Sequence, residues 1–239
     1  MKRQQGIALL LVLWLLALLS VLLAALAATV QLQHRQSAWL SGHTQALLAA
    51  EAGLSLAVMA LQAREPRERW AADGQPHRVE LGRAQLWVRV RSERGKLDLN
   101  AASAADVRRL LSACGADAAA SADVSQALEQ RRNGPAALRT LEELGQLPGM
   151  TYALYRCVQG LVTVWSGAEQ PDPSLAPARL ARALGLPVVH VGDAQPGQIF
   201  TIVSTARLAD GQRATLHTTL MLNPAKEGAR PYRVLRWQE

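Results

Sequence analysis

The chain has 239 residues, a formal net charge of +7 and a hydrophobic fraction of 49% with aromatics at only 4%. That length accommodates an anchor and one or two small domains. The positive charge is nearly all arginine, with Lys2, Lys96 and Lys226 the only lysines. It is spread without a block of five or six basic residues and without the aromatics that stack bases, which disfavours a nucleic-acid platform and reads as a solvated surface.

The N-terminus reads Met-Lys-Arg-Gln-Gln-Gly, followed by an uncharged run from Ile7 to Val30 whose only polar side chains are Ser20 and Thr29. As a helix the run spans roughly 36 Å, enough to cross a hydrocarbon core of about 30 Å. Lys2 and Arg3 precede it and the next charge is Arg35, a bias that keeps the N-terminus cytoplasmic. Three readings compete. One is a cleaved secretory signal, with small residues around Ala24–Ala27, although the apolar run exceeds the usual length of such signals. Another is a plain signal anchor. The third is a prepilin-type leader cut between Gly6 and Ile7, which requires the helix to continue beyond the membrane.

Continuation is expected. From Gln31 to Gln62 there is no proline, and Leu40, Leu47, Leu54 and Leu61 recur every seven residues, a stripe on one helical face. The stripe predicts packing against the chain's own domain over Leu47–Leu61. Pro66 ends the helix by disfavouring helical geometry at the residue before it.

After Pro66 the period falls to two. His77–Leu81 and Leu86–Arg91 alternate around a Gly82-Arg83 turn, and Ser92–Gly95 closes the pair. The middle of the chain is helical in pattern. Asn100 or Ser103 can cap a helix carrying Val107, Leu110 and Leu111; Val124–Arg132 forms a second; Thr140 with Glu143 has capping-box spacing. Leu147-Pro148-Gly149-Met150 turns into a helix expected over Thr151–Val164, and a last helix over Pro177–Leu184 stops at Gly185. Strand patterning returns in Phe200–Ala206 and Thr215–Leu222, joined by an Ala209–Gln212 turn; Asn223-Pro224 breaks it, and Tyr232–Trp237 alternates again.

The turn at Pro148 and Gly149 is similar to those of helix-hairpin-helix modules in DNA-uptake proteins, where backbone N–H groups meet a phosphate. Here a second glycine is missing, and Glu142 and Glu143 oppose an anion. The turn therefore reads as a packing or protein-contact element, with DNA binding as the alternative. Cys114 and Cys157 either pair, as an oxidising compartment permits, or remain two buried thiols. No nucleophile elbow, phosphate loop, zinc-protease or dinucleotide motif occurs, and no metal-ligand spacing; the chain is not expected to be an enzyme or to hold a cofactor.

Taken in order, four features resemble the minor pseudopilin K family of bacterial type II secretion systems. They are the leader Lys-Arg-Gln-Gln-Gly before Ile-Ala-Leu-Leu-Leu; the apolar Leu11 at mature position five, where most pilins and pseudopilins carry glutamate; Val88–Val90 leading through Gly95-Lys96-Leu97-Asp98-Leu99-Asn100-Ala101-Ala102; and Leu141–Leu144 through Val162–Val164 with a last strand ending Leu235-Arg236-Trp237. The resemblance covers nearly the whole chain. It implies a pilin-like α+β fold in which the long helix packs on an antiparallel sheet and an all-helical, SAM-like domain is inserted between strands. The expected division is a leader (1–6), a transmembrane part (7–30), an amphipathic continuation (31–62), first strands (63–97), an inserted helical domain (98–187) and C-terminal strands (188–239). The resemblance further implies maturation by prepilin peptidase with N-methylation of Ile7, residence in the inner membrane with the body periplasmic, and contact with lipid and an inner-membrane assembly platform. The implied partners in a pseudopilus-tip complex are minor pseudopilins I and J, and H. Some family members bind calcium in the insertion, but matching ligands are not evident here.

Overall fold

A computed structural model describes residues 4–134, 137–189, 194–223 and 231–239. Residues 1–3 of the expected leader and the expected break at Pro224 lie outside them. Helix α1 (Gln4–Leu61) leads into strands β1 (Asp73–Leu81) and β2 (Ala84–Ser92), then a 3-10 turn over Glu93–Gly95. Next come β3 (Leu97–Asp98), α2 (Ala104–Ala113), α3 (Ala118–Asn133), a second 3-10 turn (Leu141–Gln146), α4 (Tyr152–Val158), β4 (Val162–Thr163) and α5 (Ala178–Leu184). Strands β5 (Ile199–Leu208), β6 (Arg213–Leu222) and β7 (Tyr232–Gln238) complete the chain.

Five strands form one antiparallel sheet in the order β1-β2-β5-β6-β7. The helical middle leaves between the two neighbours β2 and β5, so it is an insertion in the sheet's own connectivity. The fold is α+β, with a long helix packed on an antiparallel sheet, as the resemblance implies. Period-two alternation explains its two faces. Leu86, Val88 and Val90 of β2, Phe200 and Ile202 of β5, and Leu216 and Leu220 of β6 are buried on the side that meets α1. The intervening Trp87, Arg89, Thr205 and His217 lie on the opposite side.

The packing face of α1 differs from the leucine stripe. Leu54 is buried and Leu61 packs against the core, but Leu47 is only half-buried and Leu40 is 57% exposed. The buried face is instead Gly42, Ala46, Ala50, Gly53, Leu54, Ala57 and Val58, at helical steps of three and four. A Cβ at Gly53 would stand 2.3 Å from the Ser204 Oγ and 3.1 Å from a Val88 methyl. The strands supply the bulk in this core, so the helix contributes smallness and comes close. The end of α1 is tied by Gln62, whose side-chain amide donates to the carbonyl of Pro231 at 3.2 Å.

The insertion has its own core, built from Leu97, Val107, Leu110, Leu128, Leu141, Val158 and Leu180 among others, and it shares no residue with the sheet–α1 core. Ser103 caps α2. Helix α3 begins at Asp117, earlier than its apolar pattern indicates, because the Asp117 carboxylate accepts from the Ala120 N–H at 2.7 Å. Helix α4 is shorter than expected. It ends at Val158, and the β-branched Val162-Thr163 pair in parallel with Leu97-Asp98.

Helix propensity alone makes Gly53→Ala stabilising by about 1 kcal/mol. The contact with Ser204 reverses the sign, and we expect a net loss of about 1–3 kcal/mol from overpacking. The Ser204 hydroxyl has no hydrogen-bond partner among the described residues, so adding Ser204→Ala should recover most of that loss. Denaturant unfolding of the full chain in detergent measures both.

Candidate functional site

Two features of the chain can engage something outside it: the free part of α1, and the way the insertion is held over the sheet. From Leu11 to Val30 every side chain of α1 is exposed, Leu11 at 65% and Trp14 at 74%. The most apolar stretch of the helix has a mean hydropathy of 2.8, and the helix is long and apolar enough to cross a membrane. A contiguous apolar surface of this size on a folded chain marks a membrane or protein interface. Ser20 and Thr29 do not interrupt it, since their hydroxyls donate back to the carbonyls of Leu16 and Leu26 at 2.8 and 2.7 Å. Gly6 and Ile7 lie in the first turns of α1.

The insertion is joined to the sheet through a buried polar knot. Ser92 donates to the carbonyl of Pro196 at 2.5 Å and accepts from the N–H of Arg94 at 3.0 Å, so β2 and the approach to β5 are pinned at one place. The Lys96 ammonium meets the Glu93 carboxylate at 2.5 Å, with both side chains at least 90% buried. The Thr201 hydroxyl donates to the same carboxylate oxygen at 2.6 Å, and Thr219 lies 2.9 Å beyond it. The second oxygen of Glu93 has no partner among the described residues. Gly95 sits where a Cβ would meet the Leu175 carbonyl at 2.3 Å. A second tie crosses the outer side of the sheet, where Arg236 of β7 pairs with Glu142 of the insertion at 2.7 Å. His217 lies on that side too. Burial first, and the Arg236 guanidinium second, hold its pKa below the ordinary histidine value, so it is neutral at neutral pH.

Inside the insertion the hub is Asp98 with Asn100, a role that sequence reasoning missed. Asp98 accepts from the N–H groups of Asn100 at 2.8 Å and Gly167 at 2.7 Å, and from the Ser166 hydroxyl at 3.0 Å. The Asn100 amide donates to the carbonyls of Leu138 and Val164 and accepts from the Leu138 N–H. Arg132 donates to the carbonyls of Leu99 and Ala102. Burial lowers its pKa, while Glu129 and Asp98 act in the opposite direction. The only sequence signal is two short polar residues alternating with buried leucines.

Cys114, at the end of α2, is bonded to Cys157 of α4, with Cα atoms 5.9 Å apart. Pro148 and Gly149 do not present an open anion site. Gly149 has φ +79°, and a Cβ on it would lie 2.8 Å from the Ala120 carbonyl and 3.1 Å from the Asp123 Cβ. The turn is packed against the start of α3, next to a carboxylate-bearing residue. No cluster of metal-ligating side chains occurs among the described residues.

No protein-family profile matches the sequence, and no curated protein matches it either. Among solved structures, one chain of the GspK-GspI-GspJ complex of the type 2 secretion system from enterotoxigenic Escherichia coli superposes with a TM-score of 0.59. The match covers 85% of this chain and 98% of that one at 15% identity. The two share a fold, that of a GspK-like minor pseudopilin.

Lys96→Met strands the Glu93 charge in the interior and should cost about 3–5 kcal/mol, whereas Glu93→Gln with Lys96→Met should cost much less; thermal unfolding distinguishes them. Replacing both cysteines by serine should remove about 4 kcal/mol in the chain-entropy picture. Because the two cores are separate, hydrogen exchange should accelerate in α2–α4 and hardly change in β5 and β6.

Proposed function

We propose that this chain is a non-enzymatic minor pseudopilin of a type II protein secretion system. The observation that carries the reading is the division of α1. Its last third is packed into a small-residue seam on the sheet. Before it the helix is exposed, and from Leu11 to Val30 it is apolar, in a fold shared with a chain of a type 2 secretion system complex. A helix built in this way serves two environments with one surface. In the bilayer the run from Ile7 to Val30 is solvated by lipid. In a fibre the same side chains are covered by the helices of neighbouring subunits. The exchange costs little, because apolar contacts to lipid and to packed helices are similar in kind.

On this reading prepilin peptidase cuts between Gly6 and Ile7, Ile7 is methylated, and the body lies in the periplasm until an inner-membrane assembly platform draws the subunit into the pseudopilus. Leu11 then takes on meaning. A carboxylate at mature position five is expensive in lipid unless it meets a neighbour's cation. A subunit at the extreme tip has no neighbour above it, and Leu11 leaves no charge to satisfy. The partners that follow are the minor pseudopilins I and J, with H beneath, and the insertion forms the bulk of the cap. A DNA-binding role draws no support from a turn closed against α3.

Co-expression with prepilin peptidase, followed by intact-mass measurement, tests the reading. A mature chain beginning at Ile7 is the expected result, and a start near Ala28 would defeat it. Leu11→Glu should leave the complex with pseudopilins I and J intact in co-purification, because at the tip the position makes no cross-subunit ion pair.

A further inference from the structure

The side of the sheet facing away from α1 carries an unusual charge pattern. Arg207 of β5 and Arg213 of β6 are direct cross-strand partners, and Arg89 and Arg91 alternate along β2 on the same side. Like charges directly opposed across neighbouring strands destabilise a sheet. No ion pair to Arg89, Arg91, Arg207 or Arg213 occurs among the described residues. The carboxylates on this side are Glu80 and Asp73 on the edge strand β1, with Asp73 opposite Arg91, and Glu239 beside Arg91 and Arg236 at the other end of the face, while Glu142 is already taken by Arg236; none of them lies opposite Arg207 or Arg213. Arg89, Arg207 and Arg213 converge on an open depression of about 360 Å³ whose floor is Trp87, Val203 and Thr205.

We infer that this face is a docking site for an acidic segment of a partner protein, one that presents carboxylates on alternate residues with apolar side chains between them. Guanidinium groups bind carboxylates in a planar, two-pronged geometry that lysine cannot reproduce. Arginine and tryptophan together are the residue types that concentrate at the centres of protein interfaces. An extended acidic segment matches the sheet's repeat, since side chains two residues apart lie on one face of a strand. It would place negative charge between Arg207 and Arg213, with its apolar side chains on the face turned away from the sheet.

Other occupants fit less well. A second copy of this chain would bring the same arginines and a further net charge of +7. A single-stranded nucleic acid is held by several stacking surfaces, and here the single indole of Trp87 lies under the Arg78 guanidinium at 6.0 Å. A bilayer crossed by α1 would meet the sheet edge-on. Gly42 touches the β5–β6 turn at Gln212 and Gly53 touches Ser204, so the helix advances about 16 Å while β5 retreats about 13 Å from the turn, and the strands run along α1. The inference does not depend on entry into a fibre.

The test uses the full chain in detergent micelles and a fluorescent peptide of alternating glutamate and valine. Binding should weaken as salt rises. Arg89→Gln, Arg207→Gln and Arg213→Gln combined should lower affinity by at least about tenfold, the equivalent of one lost interface contact of moderate strength. Arg67→Gln, Arg108→Gln and Arg182→Gln combined, which remove the same charge elsewhere, should change it by much less. The first triple variant should keep or raise its melting temperature, because a repulsive cross-strand pair has been relieved. Equal losses in both triple variants, or no loss in either, would overturn the inference, as would a fall in melting temperature accompanying the loss. Tighter binding of a single-stranded oligonucleotide or of phosphatidylglycerol vesicles through the same arginines would also overturn it, in favour of nucleic acid or lipid.

Discussion

The whole arrangement rests on how near α1 comes to the sheet. Alanine and glycine at the contact positions let the helix axis descend until strand side chains such as Val88 and Ser204 touch its backbone surface. Close-packed interiors resist any added volume, so this seam has one register and one azimuth. The consequence reaches beyond the seam. Among the described residues no other element supports the exposed part of α1, so its direction relative to the sheet is set by a few small residues far from it.

The insertion is held by different physics. Its apolar core is separate from that of the sheet, and the connection is polar: the Glu93–Lys96 pair, the threonine hydroxyls of β5 and β6, and the Arg236–Glu142 bridge. A buried ion pair with hydrogen-bonded neighbours accepts one geometry and is costly in any other. Such a joint holds the insertion in one orientation on the sheet. Within the insertion Asp98 and Asn100 do a similar job for the backbone, satisfying N–H and C=O groups of irregular segments that form no ladder of their own.

Strands and helix positions were legible in the sequence because alternation and three-to-four spacing are local signals, and β2, β5, β6 and β7 fall where period-two patterning lies. The seam was harder to see. Hydrophobic pattern analysis rewards size, so Leu40 and Leu47 attracted attention, while the contact selects glycine and alanine for being small. The overlong helix after Thr151 has a similar origin. Leu161, Val162 and Thr163 continue an apolar pattern, and only the pairing with Leu97 and Asp98, distant in sequence, makes them a strand. The knot at Glu93 was invisible because its members come from three separate segments. Of the functional region, the apolar run and its flanks are fully written in residues 1–30. The fold carries the division of α1 into packed and free parts, which no window of sequence displays.

The position of the insertion also bears on how the chain reaches its native state. Glu93 and Thr201 are 108 residues apart, yet they hydrogen-bond at the end of the β2–β5 ladder. Closing so long a loop as free coil carries a large entropic penalty, and non-local strand pairings of this kind are slow. If the insertion folds first, around contacts such as α2 with α3, it draws its two ends together and turns the pairing of β2 with β5 into a nearly local event. During synthesis α1 and the β1–β2 hairpin must wait, with one strand edge unpaired, until the middle of the chain has been made. In that order of events the inserted domain would serve as an internal template for the sheet that holds it.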